Sequence, residues 1–437
     1  MTPEKRRLLA ERWAGLDPAL RTAGQGLGQK ATGCGATIGV QPRCDFACTG
    51  CYLGSEANRI PALPTAAVLA QLDELRRHLG PKSNVQLTDG EVTLRPEGEL
   101  VEILRHARSI GIVPMLMTHG DTLRRRPGLL ERLMEAGGLT EISVHIDVTQ
   151  RGRDGYRRPA SELELGPLRE ELAAMIRAAR RKTGRELRAA MTLTVTRENL
   201  PQVADVVRWT VAHRDAFGLM SFQPLAQVGR TRRELQGVGA AALWGEIGKA
   251  TAGFGAPLGT PGELRFGHPE CTRFVPFLVL EREGERPRMV QTFRDHPDDM
   301  AVVAEFFARG LGGVAFRDDR PLEKLARALG MVRAQPRWVL GRARRWAEGR
   351  LREETGGGLW RLLADALRGR VRLDGFTLTS HHFMSPEELA TPLGRERLAA
   401  CIFRVPVRGE MVPMCRVNAG GVRESVYAEI EAAAFES

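Results

Sequence analysis

From about residue 34 to 224, short apolar runs of β character alternate with longer stretches of helical period. The β-like runs lie at 36–40, 84–87, 112–118, 141–147, 187–195 and 219–223. Between them, apolar residues recur at three- and four-residue spacing over 65–78, 97–110, 129–135, 168–182 and 200–213. Such alternation predicts an α/β fold of parallel strands joined by right-handed helical crossovers. Six units predict a partial (β/α)6 TIM-like barrel, which carries its chemistry at the C-terminal ends of its strands.

After residue 230 the pattern changes. Glycine-rich stretches at 237–239 and 253–259 read as loops or a linker. Runs at 277–281 and 289–293 read as a hairpin, and 298–370 is largely helical with a break at 310–313. Strand character returns at 371–379. A hairpin follows, 402–407 and 411–415, turning at Arg408-Gly409-Glu410. We therefore expect an N-terminal helical segment (1–33), the barrel (34–230) and a C-terminal α+β auxiliary domain (231–437) capping the barrel mouth.

The bulk composition narrows the class. A chain of 437 residues, 43% hydrophobic and 27% charged, suits one large α/β unit plus an appendage and is not compositionally disordered. The start has no apolar leader, and no run approaches ~20 apolar residues, so neither secretion nor a membrane span is expected. A cytoplasmic location is expected, with peripheral membrane contact left open. The net charge of +11 favours anionic partners, though a solvated basic surface is the default reading of so arginine-rich a composition. Between 333 and 352, arginines alternate with Trp338 and Trp346. That pattern suits either an anionic membrane surface or a solvated helix with inward tryptophans. At 5% aromatic residues, base stacking on nucleic acid ranks last.

Seven cysteines, three of them crowded together, argue against a disulfide framework and for metal or cluster ligation. Cys44, Cys48 and Cys51 form a C-x3-C-x2-C triplet directly after the first β-run. A structural cluster takes four cysteines, so three in eight residues leave one iron of a [4Fe–4S] cube open to a small molecule. A zinc site would want a second C-x2-C pair or nearby histidines, and neither is present.

This triplet, after strand one of a (β/α)6 pattern, resembles the radical S-adenosylmethionine (radical SAM) superfamily over roughly residues 34–230. The resemblance implies that the open iron chelates the methionine part of S-adenosylmethionine. An electron, from a low-potential donor such as flavodoxin or ferredoxin, then yields a 5′-deoxyadenosyl radical. One position departs from the family pattern: Gly50 stands where an aromatic usually precedes the third cysteine, and Tyr52 follows it. Thr88-Asp89-Gly90-Glu91-Val92, at the end of strand two, resembles the family's Gly-Gly-Glu-Pro segment. It implies Asp89, Gly90 and Glu91, with Tyr52, as part of the cofactor site. Thr118 ends strand three. Ser143, His145 and Asp147 alternate along strand four and so share one face. By the same resemblance these groups would meet the nucleotide, and a solvated edge strand is the alternative. Thr192, Thr194 and Thr196 form a similar stripe. Ser221-Phe222-Gln223-Pro224 and Gly229-Arg230 could contact cofactor or substrate.

Cys34, Cys271, Cys401 and Cys415 remain, enough for one further fully ligated cube. They read as ligands of a second iron–sulfur cluster or as buried apolar thiols. The hairpin flanked by Cys401 and Cys415 resembles the start of auxiliary-cluster domains appended to many radical SAM enzymes. Ser380-His381-His382-Phe383-Met384 and Val412-Pro413-Met414-Cys415-Arg416-Val417-Asn418 resemble a subgroup with archaeal tetraether-lipid synthases. His381 and His382 could ligate metal or shuttle protons. The resulting expectation is a radical SAM enzyme acting on a lipid or small metabolite, forming C–C or C–S bonds or methylating. The alternatives are a peptide maturase and, in another class, a non-catalytic iron–sulfur electron carrier or scaffold.

Overall fold

The computed structural model describes residues 2–33, 35–258, 264–313, 321–355 and 357–435. Six strands alternate with helices in its first half: β1 (Gly35–Gln41), β2 (Asn84–Asp89), β3 (Val113–Thr118), β4 (Glu141–His145), β5 (Arg188–Val195) and β6 (Phe217–Pro224). They pair in sequence order and all parallel. Helices Thr65–Leu79, Glu97–Ser109 and Gly166–Thr183 cover the outer face. Val68, Leu72, Leu75 and Leu79 show why: they form one stripe on the first helix, and all are buried. Each such side chain contributes roughly 1.5–3 kcal/mol relative to exposure.

Strand β5 divides its residues by face. Ala189, Met191, Leu193 and Val195 join the core shared with the helices. Ala190, Thr192 and Thr194 instead line an interior cavity. Thr192 and Thr194 thus face the cavity, because period-two alternation sends every second side chain inward, whereas Thr196 lies past the strand end and bonds Asn199.

The C-terminal half completes this sheet at both edges. Strands β7 (Thr272–Arg282), β8 (Arg288–Gln291), β9 (Val371–His381), β10 (Phe403–Val407) and β11 (Glu410–Pro413) give the order β11-β10-β1-β2-β3-β4-β5-β6-β9-β7-β8. β9 runs parallel to β6 and β10 parallel to β1, each flanked by an antiparallel partner. Open barrel edges expose unpaired backbone groups, and these late strands cover both. Trp244, on helix Ala240–Ala252, donates to Ser380 at 2.9 Å and ties the linker region to β9. The N-terminal segment packs Leu16 and Leu27 against Ile402, Phe403 and Met414.

Several boundaries differ from the sequence reading, β7 among them, which begins at Thr272 rather than 277. Strand four stops at His145, not 147, because the Asp147 carboxylate accepts from the Thr149 and Thr194 amides and turns the chain. The helix expected at 200–213 begins at Val203 after a 3-10 turn around Pro201. The second strand of the last hairpin ends at Pro413, and Cys415 lies on the helix Met414–Ala419. Trp338 and Trp346 turn inward, donating to Glu305 and Asp299. Among the described residues, no helix is long and apolar enough to cross a membrane.

Candidate active site

The loop bearing Cys44, Cys48 and Cys51 leaves β1 at the C-terminal edge of the sheet and is gripped by three neighbours. The end of β2 donates Gly90 N to Gln41 O (2.7 Å) and Glu91 N to Arg43 O (2.9 Å). The segment after β4 accepts Thr49 N at Thr149 O (2.8 Å) and Ala47 N at Arg151 O (3.0 Å). The segment after β6 donates Arg230 N to Cys51 O at 3.1 Å. Gly90 is required here: a Cβ would meet Arg43 O at 2.3 Å and Pro42 O at 2.4 Å.

Within the loop, Phe46 stacks on His119 with ring centroids 3.7 Å apart and planes 3° from parallel. The Arg153 guanidinium also lies over the Phe46 ring, 5.1 Å from its centroid. His119 Nδ1 accepts from Asp121 N (3.0 Å), so Nε2 carries the proton and donates to Asp45 Oδ1 (2.8 Å). Arg125 binds the other Asp45 oxygen at 2.6 Å. Burial alone would raise the Asp45 pKa, but these two donors hold it well below the usual carboxylate range.

Glu91 is buried, and protein donors fill both its oxygens. Oε1 accepts from Thr118 Oγ1 (2.6 Å), the Thr93 hydroxyl and Thr93 N (3.1 Å), and Oε2 from His119 N (2.9 Å). Its side chain therefore locks the ends of β2 and β3 together. Asp89 sits at φ +97°, where glycine is usual, and its carboxylate occupies the space left by the missing side chain of Gly39. There Asp89 Oδ1 pairs with Arg423 at 2.6 Å. Tyr52 donates to Asp89 O at 2.9 Å, and Arg423 lies 5.0 Å over the Tyr52 ring. Burial pushes Arg423 down, but the charge and hydrogen bond of Asp89 together with Tyr427 and Tyr52 outweigh it and raise its pKa.

On β4, Ser143 bonds Thr192 (2.8 Å) and His145 Nε2 lies 3.0 Å from Thr194 Oγ1 and 2.7 Å from Asp147 Oδ2. Ser143 and His145 line the cavity, but Asp147 does not. Despite burial, the His145 partner and the hydroxyl and amide donors hold Asp147 at about 2.

The cavity measures about 300 Å³ and has the three triplet cysteines, Tyr52, Asp89, Gly90, Glu91 and Thr118 at one end. Farther in, Met115, Met117, Leu219, Phe274 and Phe403 share the wall with Asn84, Gln86, Ser143, Thr192 and Ser221, and Cys415 opens onto the same space. Burial pushes the Cys44 thiol up to about 12 and Cys48 higher still, so both are protonated until a metal displaces the proton. The Arg230 guanidinium stands close enough to the three thiols for their charge to raise its pKa, though burial opposes this. Its Nε is buried without a hydrogen-bond partner.

These features fit a cluster: three thiols on one cavity, with a cation beside them that keeps an unpaired N–H donor. Among the described residues, the group bringing three ligand atoms within 4.8 Å of one another is Cys44, Asp45 and His119. His119 has no lone pair to give there, since Nδ1 is taken and Nε2 is protonated.

Cys271, Cys401 and Cys415 gather at the far end of the sheet. Arg397 Nε donates to Cys271 Sγ (3.3 Å), and Cys401 Sγ donates to Phe403 O (2.8 Å). Met414 and Met384 amides reach Cys401 and Cys415. Burial raises all three thiols, Cys415 to about 12, and each of Cys401 and Cys415 also feels its neighbours' charge. Cys34 lies outside the described residues. His381 lines the cavity near Thr272 (3.3 Å), and burial lowers its pKa to about 3.

Sequence reasoning missed Arg423, Asn418 and Tyr427, which reach the site from beside and within the last helix, Val422–Phe435. A single arginine in a charged helix carries no local signal. Phe46 and Arg153 were missed for the same reason.

Comparison with known proteins follows this geometry. Residues 38–210 match the family model described as the Radical SAM superfamily. No curated protein matches the chain. Similar solved structures include Streptococcus suis SuiB bound to S-adenosylmethionine, with 14% identity, 51% of this chain and 48% of that chain covered, and TM-score 0.39. Another is anSMEcpe with bound AdoMet and Cp18Cys peptide, with 10% identity, 50% and 59% covered, and TM-score 0.36. The chain spans about half the length of SuiB.

Proposed function

We propose that this chain, whose residues 38–210 match the Radical SAM superfamily model, is a radical SAM enzyme in which Cys44, Cys48 and Cys51 hold a [4Fe–4S] cluster binding S-adenosylmethionine. When bound, the cluster supplies one electron that breaks the C5′–S bond, giving methionine and a 5′-deoxyadenosyl radical that takes a hydrogen atom from substrate. A low-potential donor such as flavodoxin or ferredoxin delivers that electron. The protein's own residues hold and shield. Tyr52 and Arg423 fix the Asp89 backbone, and Glu91 fixes the β2 and β3 ends, so carbonyls at 89–91 can accept from the methionine ammonium. Ser143, His145 and Thr118 offer the nucleotide hydroxyl and ring-nitrogen partners. Asp147 acts behind them by orienting His145. The late strands and the last helix enclose the cavity, which keeps a primary carbon radical from solvent.

The observation that carries this reading is one cavity lined by the three thiols, the polar strand ends and a mixed apolar and polar inner wall. A lipid or small metabolite is the proposed substrate, its carbon skeleton against the methionines and phenylalanines and its polar groups against the strand hydroxyls and amides, with C–C or C–S bond formation or methylation as the outcome. Cys271, Cys401 and Cys415 hold a second iron–sulfur cluster, and Cys415 gives it access to the same cavity. Anaerobically reconstituted protein with dithionite and S-adenosylmethionine should release 5′-deoxyadenosine, and Cys48→Ala should release none. Absence of the product from iron-loaded wild type would sink the reading.

A further inference from the structure

The second-cluster reading supplies three thiols, whereas a closed cube needs four ligands. Beyond the β7–β9 ladder, whose last pair is Thr272 with His381, His382 N donates to Cys271 O at 2.8 Å. Cys271 and His382 are therefore cross-strand neighbours with side chains on the same face. Arg397 binds both, through Cys271 Sγ (3.3 Å) and His382 O (2.8 Å), and so fixes their relative position. The His382 Nε2 atom is buried and has no hydrogen-bond partner. An unsatisfied ring nitrogen in such a place destabilises the fold unless something fills it. Histidine replaces cysteine on iron in other protein clusters and raises their potential, because a neutral ligand removes one negative charge.

We propose that His382, with Cys271, Cys401 and Cys415, completes the ligand set of the second cluster, making it a three-cysteine, one-histidine site. This rests on the second-cluster reading of the proposed function. The assignment explains both the orphaned nitrogen and the paired backbone that places it beside Cys271. It leaves Cys34 outside the ligand set.

The test removes the first cluster. Full-length Cys44→Ala/Cys48→Ala/Cys51→Ala protein, reconstituted anaerobically, should bind about four irons per chain. After reduction, pulsed electron paramagnetic resonance should show a directly bound nitrogen that changes from a 14N to a 15N pattern in protein grown on [15N]histidine. His382→Cys in that background should keep the iron, lose the nitrogen coupling and lower the reduction potential. Bound iron without histidine coupling, or coupling that survives His382→Cys, overturns the histidine ligand while leaving a second cluster standing. Failure of the triple variant to bind iron overturns both.

Discussion

Replacing Arg423 with methionine should be among the most damaging single changes outside the cysteines. The Arg423 and Asp89 side chains are 7% and 9% exposed, and their 2.6 Å contact joins the last helix to the end of β2. Methionine matches much of the arginine stem but leaves the Asp89 carboxylate buried without a cation. Breaking a buried pair from one side costs about 3–5 kcal/mol, and the lost contact over Tyr52 adds to it. Asp89→Gly in the same background should recover most of that loss. It removes the stranded charge and relieves a φ of +97°, a strain of about 1–3 kcal/mol. The double variant should then unfold within about 2 kcal/mol of wild type, a coupling that neither single change predicts. Anaerobic urea unfolding, followed by tryptophan fluorescence and circular dichroism together, reads the difference. Simple addition of the two single losses in the double variant would refute the reasoning.

Gly90→Ala should cut iron incorporation in reconstituted protein several-fold, because its Cβ would press on two carbonyls of the cysteine loop. Normal iron content per chain, measured by a colorimetric assay, would show that the loop tolerates the shift. Away from the site, Arg177 holds both Asp215 oxygens at 2.6 and 2.7 Å and lowers its pKa to about 2. Because the folded value is depressed, the stabilisation is whole above the unfolded value near 3.9 and fades as pH falls toward 2. Asp215→Asn should therefore cost about 1–2 kcal/mol at pH 6, allowing for partial exposure. That cost should shrink as pH falls from about 4 toward 2 in urea titrations, and a constant difference across that range would contradict the assignment.

Much of the site was legible because its parts are local. The triplet spacing, the strand-to-loop transition before it and the Asp-Gly-Glu turn each lie within a few residues, and period-two alternation put Ser143 and His145 on one face. The roles within those parts were not legible. Asp89 and Glu91 look like free acceptors in the sequence, yet each carboxylate is engaged: Asp89 by Arg423, 334 residues away, and Glu91 by Thr118 and His119 on the next strand. Asp147 alternates with the cavity residues but sits behind them, since the strand stops two residues earlier.

The amino-acid sequence by itself determined the parallel α/β order, the triplet at the first strand's exit and the polar inner stripe. These follow from periodicity and spacing, which act over a few residues. Only the tertiary structure decided that the C-terminal strands belong to the same sheet, one set beside β1 and the other beside β6. Edge pairing depends on backbone groups that any sequence carries, so no residue pattern announces it. That same closure brings Arg423 to Asp89, seats Cys271 beside His382 and lets Cys415 share a cavity with Cys44, Cys48 and Cys51.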